Sequence, residues 1–107
     1  MTITKHILLE GRKSINGLEV SDDLGMMNWH EAKIACKTLR KGWRLPTKDE
    51  LSMLYENKEE IGGFANYFYW SSTELDNYLA WRQDFNFGNQ YGFNKNFTYY
   101  VRAVRAS

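Results

Sequence analysis

Lysine and glutamate, which normally cover exposed surface, nearly disappear from the last third of this chain: between Trp70 and Arg105 only Glu74 and Lys95 remain. Other scarcities set further limits. There is a single cysteine, so no intrachain disulfide can form, and Cys36 falls in a helical pattern where a small buried apolar residue fits. Neither His6 nor His30 stands where it would activate a thiol nucleophile. The formal net charge is only +1, with no cluster of Lys and Arg that would mark a nucleic-acid footprint or attraction to an anionic membrane. No apolar run is long enough to span a bilayer. The start, MTITKHILLEGRK, holds only a short apolar patch ending at Glu10 and does not read as a secretory signal, so the expected location is virion-associated or cytoplasmic.

Aromatic residues are abundant instead: four Trp, seven Tyr and six Phe in 107 residues. A chain of this length makes one domain, read as residues 1–107, whose core cannot hide so many rings, so some face water or a partner. The stretch from Tyr69 to Arg105 mixes Asn, Tyr, Phe and Gly. Rigid aromatic anchors beside small adaptable polar side chains are the chemistry of a binding surface.

Two helices are signalled. Asn28 and Glu31 form a capping-box pattern, Trp29, Ala32, Cys36 and Leu39 share one face, and the helix is expected to run to about Arg40 and stop at Gly42. Thr47 and Glu50 repeat the pattern after Pro46, with Leu51, Leu54 and Tyr55 as the inward stripe. After Glu60 the helical period is lost. Strands are expected at Phe68–Ser72, Ala80–Phe87 and Tyr100–Ala106, and shorter ones at Ile3–Leu9 and Leu18–Ser21 around an Asn16-Gly17 turn, the last strand pairing with the first. Gly88–Thr98 shows no regular period and reads as an irregular excursion. In the middle strand, alternation sends Trp81, Gln83 and Phe85 to one side as framework and Arg82, Asp84 and Asn86 to the other. Trp43, Trp70 and Trp81 are expected to form an aromatic core. Arg44, Arg102 and Arg105, with Ser71, Ser72 and Thr73, are expected to satisfy carboxylates and backbone around it.

The run NWHEAKIACKTLRKGWRLPTKDELSMLYE, followed by YWSSTE, then AW-x-Q-x-F, then YVRAVRA, resembles the C-type-lectin-like domains of bacteria and phages. It is most similar to the group typified by the C-terminal domain of a collagen-like bacterial adhesin, and the likeness covers roughly Asn28 to Ala106. The resemblance implies an α+β, C-type-lectin-like fold in which two helices pack on short antiparallel sheets with long C-terminal loops. Its last segment also resembles the variable region of proteins diversified by retroelements, in which errors at template adenines rewrite a coding segment. Asn codons altered in this way can reach Tyr, Phe, Asp, Ser, Gly, Arg and other residues, but not Lys, Glu, Gln, Trp or Met. Residues 75–99 would be that region. Trp81, Gln83, Gln90 and Lys95 lie outside the reachable set. Phe85 is reachable although alternation puts it on the framework side.

The residues expected to meet a ligand are Asn77, Tyr78, Arg82, Asp84, Asn86, Asn89, Tyr91, Phe93, Asn94, Asn96 and Tyr99, with Arg82 and the tyrosines as anchors. The partner is a protein receptor on a cell surface or a glycan, with no nucleic acid and no membrane insertion. The alternative is an undiversified structural or adhesive module of the same fold that binds glycan. The Pro-containing loops by which calcium-dependent lectins hold sugar are absent, and Asp22, Asp23, Glu74, Asp76 and Asp84 are scattered, so no metal or other cofactor is expected. Formylglycine-generating enzymes have a related fold but need paired cysteines, so no catalytic residue is assigned. Phage tail proteins of this class tend to be trimers, for which Met26, Met27 and Ile61 are the candidate contacts.

Overall fold

The computed structural model describes residues 14–107. Its strands are β1 (Ser14–Ile15), β2 (Leu18–Met27), β3 (Phe68–Glu74), β4 (Leu79–Asp84), β5 (Gln90–Asn94) and β6 (Tyr99–Ala106). Its helices are α1 (Trp29–Lys37), α2 (Lys48–Glu56) and the single turn α3 (Lys58–Ile61). The strands form one six-stranded sheet in the order β1-β2-β6-β3-β4-β5. All pairs are antiparallel except β3 and β6, which meet in parallel at Tyr69 and Tyr100. The expected separate short antiparallel sheets are therefore a single mixed sheet, because β6 lies between the β2 and β3 halves and joins them.

Local chemistry accounts for most of these boundaries. Asn16 and Gly17 both have positive φ, 48° and 82°, the backbone that a two-residue hairpin loop between β1 and β2 requires. Both capping boxes are formed, Asn28 with Glu31 and Thr47 with Glu50, which satisfies backbone N–H groups that a helix leaves open at its start. The first helix is shorter than expected. Thr38 caps it after Lys37, its hydroxyl donating to the Ala35 carbonyl, and Gly42 at φ 92° lets the chain turn back four residues later. The Leu18–Ser21 strand is longer than expected and reaches Met27 through two register irregularities against β6. Its aperiodic sequence hides a strand that bulges at Asp23, whose carboxylate accepts the Gly25 N–H at 2.8 Å. The last strand pairs with β2; the expected strand Ile3–Leu9 lies outside the described residues.

Alternation divides the core between the two faces of the sheet. Tyr99, Val101 and Ala103 of β6, Trp70 of β3 and Ala80 of β4 pack under α1 with Trp29, Ala32, Cys36, Trp43 and Leu45. Val104, Tyr69 and Phe85 pack on the other face under α2 and α3 with Leu51, Leu54 and Ile61. Trp43 and Trp70 are core residues as expected, but Trp81 is not. It is half-buried, with the Lys48 ammonium 4.0 Å from its ring centre, and Trp29 takes the third core position, its indole N–H donating to the Ser71 carbonyl at 2.8 Å. Arg44 pairs with Glu50, Arg105 with Glu19, and Arg102 donates to the Ser21 and Gly62 carbonyls. The Ser71 hydroxyl donates to the Trp81 carbonyl and the Thr73 hydroxyl accepts the Lys48 N–H. Ser72 contributes its backbone instead, donating to the Pro46 carbonyl. Among the described residues no helix is long and apolar enough to cross a membrane.

Candidate functional site

The segment expected to be an irregular excursion contains β5. Gln90 pairs with Gln83, Tyr91 with Arg82, Gly92 with Trp81 and Phe93 with Ala80. The alternation is hard to see in the sequence because one side of it carries only Gln90, Gly92 and Asn94. Gly92 is roofed by the exposed Leu75 side chain, which would have to swing aside for a larger residue there.

This register sorts side chains by face. Gln83, Gln90 and Trp81 face α2. Gln90 Nε2 donates to the Lys48 carbonyl at 2.9 Å and to Gln83 Oε1 at 3.1 Å, and Gln83 Nε2 reaches the Gly88 carbonyl at 3.0 Å. Arg82, Tyr91 and Phe93 face the other way, as do Phe68 and Asp84, which pair across β3 and β4. At its Ala80–Phe93 end this second face runs into the core beneath α1. At its Arg82–Tyr91 end it holds a cluster of rings around one cation. The Arg82 guanidinium carbon is 3.8 Å from the ring centre of Phe68, 4.0 Å from Phe93, 4.7 Å from Tyr99 and 5.9 Å from Tyr91. Tyr67 stacks edgewise on Phe68 at 5.2 Å and Phe97 on Phe93 at 4.8 Å. These outer rings are open, with Tyr67 43 %, Tyr91 46 % and Phe97 52 % exposed. Six of the eight large hydrophobic side chains exposed among the described residues belong to the segment from Tyr67 to Phe97, so exposure of apolar surface is concentrated there.

The expected site residues separate into three groups. Arg82, Phe93, Tyr91 and Tyr99 come together, but Tyr99 is 5 % exposed and belongs to the core, so it supports the face from beneath and is not a contact residue. Burial also raises the pKa of its hydroxyl, against the opposing pull of Arg82, which keeps it neutral. Phe93 and Arg82 are half-buried for the same reason: their side of the sheet passes into the core. Asp84, Asn86 and Asn89 gather at one end of the β4–β5 hairpin, where the Asp84 carboxylate accepts the Asn86 N–H and the Asp84 N–H donates to the Asn89 carbonyl. Asn77, Tyr78, Asn94 and Asn96 gather at the opposite end, about 17 Å away along β4. Lys95 holds that end together. It is buried, bonds Glu74 at 2.6 Å and the Asn77 carbonyl at 3.0 Å, and lies 4.4 Å from the Trp29 ring centre. Its ammonium holds the Glu74 carboxyl below the ordinary carboxylate range.

Three members of the ring cluster were absent from the expected set: Tyr67, Phe68 and Phe97. The sequence did carry a signal for one of them. Phe68 shares the Trp70 parity in β3, so the run from Phe68 to Trp70 already places a second ring on the face that Arg82 occupies. Cys36 is fully buried and its thiol pKa is pushed up to about 12 by burial, so it is a packing residue and not a nucleophile. Among the described residues no three His, Cys, Asp or Glu side chains converge as a metal site.

The family described as the Lcl C-terminal domain matches residues 11–105. The chain belongs to the Lcl C-terminal domain family. No curated protein matches it. The fold is C-type-lectin-like. Botrocetin is similar at a TM-score of 0.71 and 12% identity, over 90% of this chain and 96% of botrocetin's. A chain from the complex of botrocetin with a mutant von Willebrand factor A1 domain is similar at 0.67 and 10% identity, covering 91% and 97%. EMS16, an antagonist of the collagen receptor integrin alpha2beta1, is similar at 0.65 and 11% identity, covering 91% and 98%. At these identities the likeness is one of fold. This Lcl C-terminal domain thus presents its ring cluster on the open part of a lectin-like sheet.

Proposed function

We propose that this chain is a single ligand-binding domain that recognises a protein receptor on a cell surface, through the ring cluster around Arg82 and the two flanking hairpin ends. The observation that carries this reading is the sorting across β4 and β5: Trp81, Gln83 and Gln90 turn toward α2, while Arg82, Tyr91 and Phe93 turn toward the opposite face. Tyr67, Tyr91 and Phe97 offer broad contact area with little side-chain entropy to lose, and Asn86, Asn89, Asn94 and Asn96 surround them with donors and acceptors. Two concavities lie along α1, lined by Lys33, Lys37, Arg44, Leu45 and Ser72 and by His30, Lys33, Ile34 and Lys37. The ring cluster lines neither, which suits a macromolecular surface better than a small molecule in a cleft. Protein partners are also met among structures of similar fold: botrocetin forms a complex with a von Willebrand factor A1 domain, and EMS16 is an antagonist of a collagen-receptor integrin. The chemistry is recognition rather than catalysis.

The finer part of the proposal is that residues 75–99 are diversified by a retroelement. Exposure supports it. Asn77, Tyr78, Asn86, Phe87, Asn89, Tyr91, Asn94, Asn96 and Phe97, all reachable by adenine mutation of Asn codons, are exposed, whereas Gln83 and Lys95 are buried and Trp81 and Gln90 half-buried. Ala80, Phe85 and Tyr99 are reachable yet buried, and Leu79, Arg82, Asp84, Gly92 and Phe93 are reachable yet half-buried, so these stand as exceptions. The neighbouring DNA is expected to hold a near-copy of codons 75–105 with Asn codons at the exposed positions, beside a reverse-transcriptase gene. A flanking sequence with neither would refute diversification while leaving recognition intact.

A glycan ligand is the second reading, favoured by Tyr78 and Phe87, which are about three-quarters exposed and stand apart from the ring cluster as free stacking surfaces. Binding to arrays of bacterial surface proteins and of glycans, with Tyr91→Ala and Phe97→Ala beside the parent, separates the two. Protein binding lost in these variants is the expected result. Glycan binding that survives both would overturn the assignment.

A further inference from the structure

We propose that Arg82 is a preformed receptor for one carboxylate side chain of the protein partner, and that this ion pair is the anchor of the interface. The inference rests on the protein-recognition reading above and goes further by naming the group recognised. Arginines elsewhere in the sheet have found acceptors. Arg102 donates to the Ser21 and Gly62 carbonyls at 2.7 and 2.6 Å, and Arg105 to Glu19 at 2.7 Å. Arg82 has none: its Nε is buried without a hydrogen-bond partner, and no carboxylate among the described residues pairs with it. Its neighbours are rings instead, two of them within 4.0 Å of the guanidinium carbon.

Ring faces hold a guanidinium plane in place without saturating its in-plane N–H donors. The cation is therefore oriented before a partner arrives, which lowers the entropy cost of the bond it makes. Apolar walls also thin out the water that would otherwise compete, and a charge-assisted bond is strongest in such surroundings. The charge context selects the partner. Among the described residues Arg82 is the cation that these rings surround, Lys95 further along the same side being already paired with Glu74, and Asp84, two residues from Arg82 on the same face, has Oδ1 engaged by the Asn86 N–H. A polyanion such as nucleic acid or a sulfated polysaccharide would need several cations and would meet Asp84 as well. A single Asp or Glu on an otherwise neutral, partly apolar protein surface fits.

The test selects a displayed library of random peptides on the parent chain and keeps clones that fail to bind Tyr91→Ala, so that only binders of this face remain. Such clones are expected to be enriched in Asp or Glu over the unselected library. Changing the selected acid to its amide should weaken binding about 30-fold, the scale of an interface hot spot. Arg82→Gln should weaken it by a similar factor, and the two changes together should cost little more than either. Arg82→Lys, which keeps the charge but loses the plane, should recover only part of the affinity. Because the amide change is made in the peptide, it reads the ion pair even where an Arg82 variant folds poorly. Face-dependent clones with no acidic enrichment, or undiminished binding to Arg82→Gln, would overturn the anchor and leave protein recognition standing. An absence of face-dependent clones would refute the recognition reading and the anchor with it. Uronate-bearing glycans that bind through Arg82 where peptides do not would overturn the commitment to a protein carboxylate.

Discussion

Replacing Gln83 by Leu tests whether the glutamines on the α2 side of β4 and β5 hold the hairpin in register. Gln83 is 1 % exposed and makes two neutral hydrogen bonds, one to the Gly88 carbonyl in the turn and one from Gln90, which itself reaches the Lys48 carbonyl at the start of α2. Leu is close to Gln in volume, so the change removes hydrogen bonds with little change in packing. At about 1 kcal/mol per neutral bond, the loss is about 2 kcal/mol. In a domain of this size that corresponds to a fall of roughly 8 °C in melting temperature. Gln90→Leu removes two bonds as well, and the Gln83–Gln90 bond is common to both variants. The double variant should therefore fall short of additivity by about 1 kcal/mol. Urea unfolding followed by circular dichroism measures all four proteins, provided the slope with denaturant is unchanged. A loss below about 0.5 kcal/mol for Gln83→Leu, or strict additivity in the double variant, would refute the ladder as a stabilising device.

Tyr91→Ala should leave stability within about 0.5 kcal/mol, since the ring is exposed, whereas Trp70→Ala should cost about 3–5 kcal/mol. Trp81→Ala should fall between, near 1 kcal/mol, because its ring is half-buried and loses the Lys48 contact. Thermal melts rank the three, and Trp81→Ala equalling Trp70→Ala would restore Trp81 to the core. Gly88→Ala should cost about 2 kcal/mol, because the residue has φ 91° and an added Cβ would lie 2.6 Å from the Tyr55 ring; an unchanged melt would show that the turn yields. Stability should also decline in alkali. The Cys36 thiol rises from an ordinary 9.0 to about 12 in the fold, and burial raises the Tyr69 hydroxyl as well. Raised values contribute stability below the unfolded pKa and lose it as pH climbs, so the decline begins near pH 9 at about 1.4 kcal/mol per pH unit. Cys36→Ala should delay its onset to about pH 10, where Tyr69 takes over, and an unchanged onset would refute the assignment to Cys36.

Legibility varied along the chain with the range of the forces involved. Both helix starts were readable because a capping box is satisfied within four residues, and the Asn16-Gly17 turn because its backbone preference is intrinsic. The end of α1 and the length of β2 were misjudged. The first is set by the Thr38 cap, and the second by long-range pairing with β6 across a bulged stretch. In the candidate site, the opposite directions of Gln83 and Arg82 were legible from alternation. The core position of Tyr99 was not, because it depends on rings contributed by β3 and β5.

The sequence by itself determined which residue types could form a recognition surface, since the near-absence of Lys and Glu after Trp70 and the wealth of Tyr, Phe and Asn are properties of composition. It also determined the side to which each β4 residue points, because a strand's period of two is local geometry. Only the tertiary structure decided which of those residues meet. Inserting β6 between β2 and β3 and pairing β4 with β5 brings Phe68, Phe93 and Tyr99, distant along the chain, around Arg82, and leaves that cation without an acceptor. Contacts between residues far apart in sequence follow from the order and register of strands, and those are settled by burying both faces of the sheet at once.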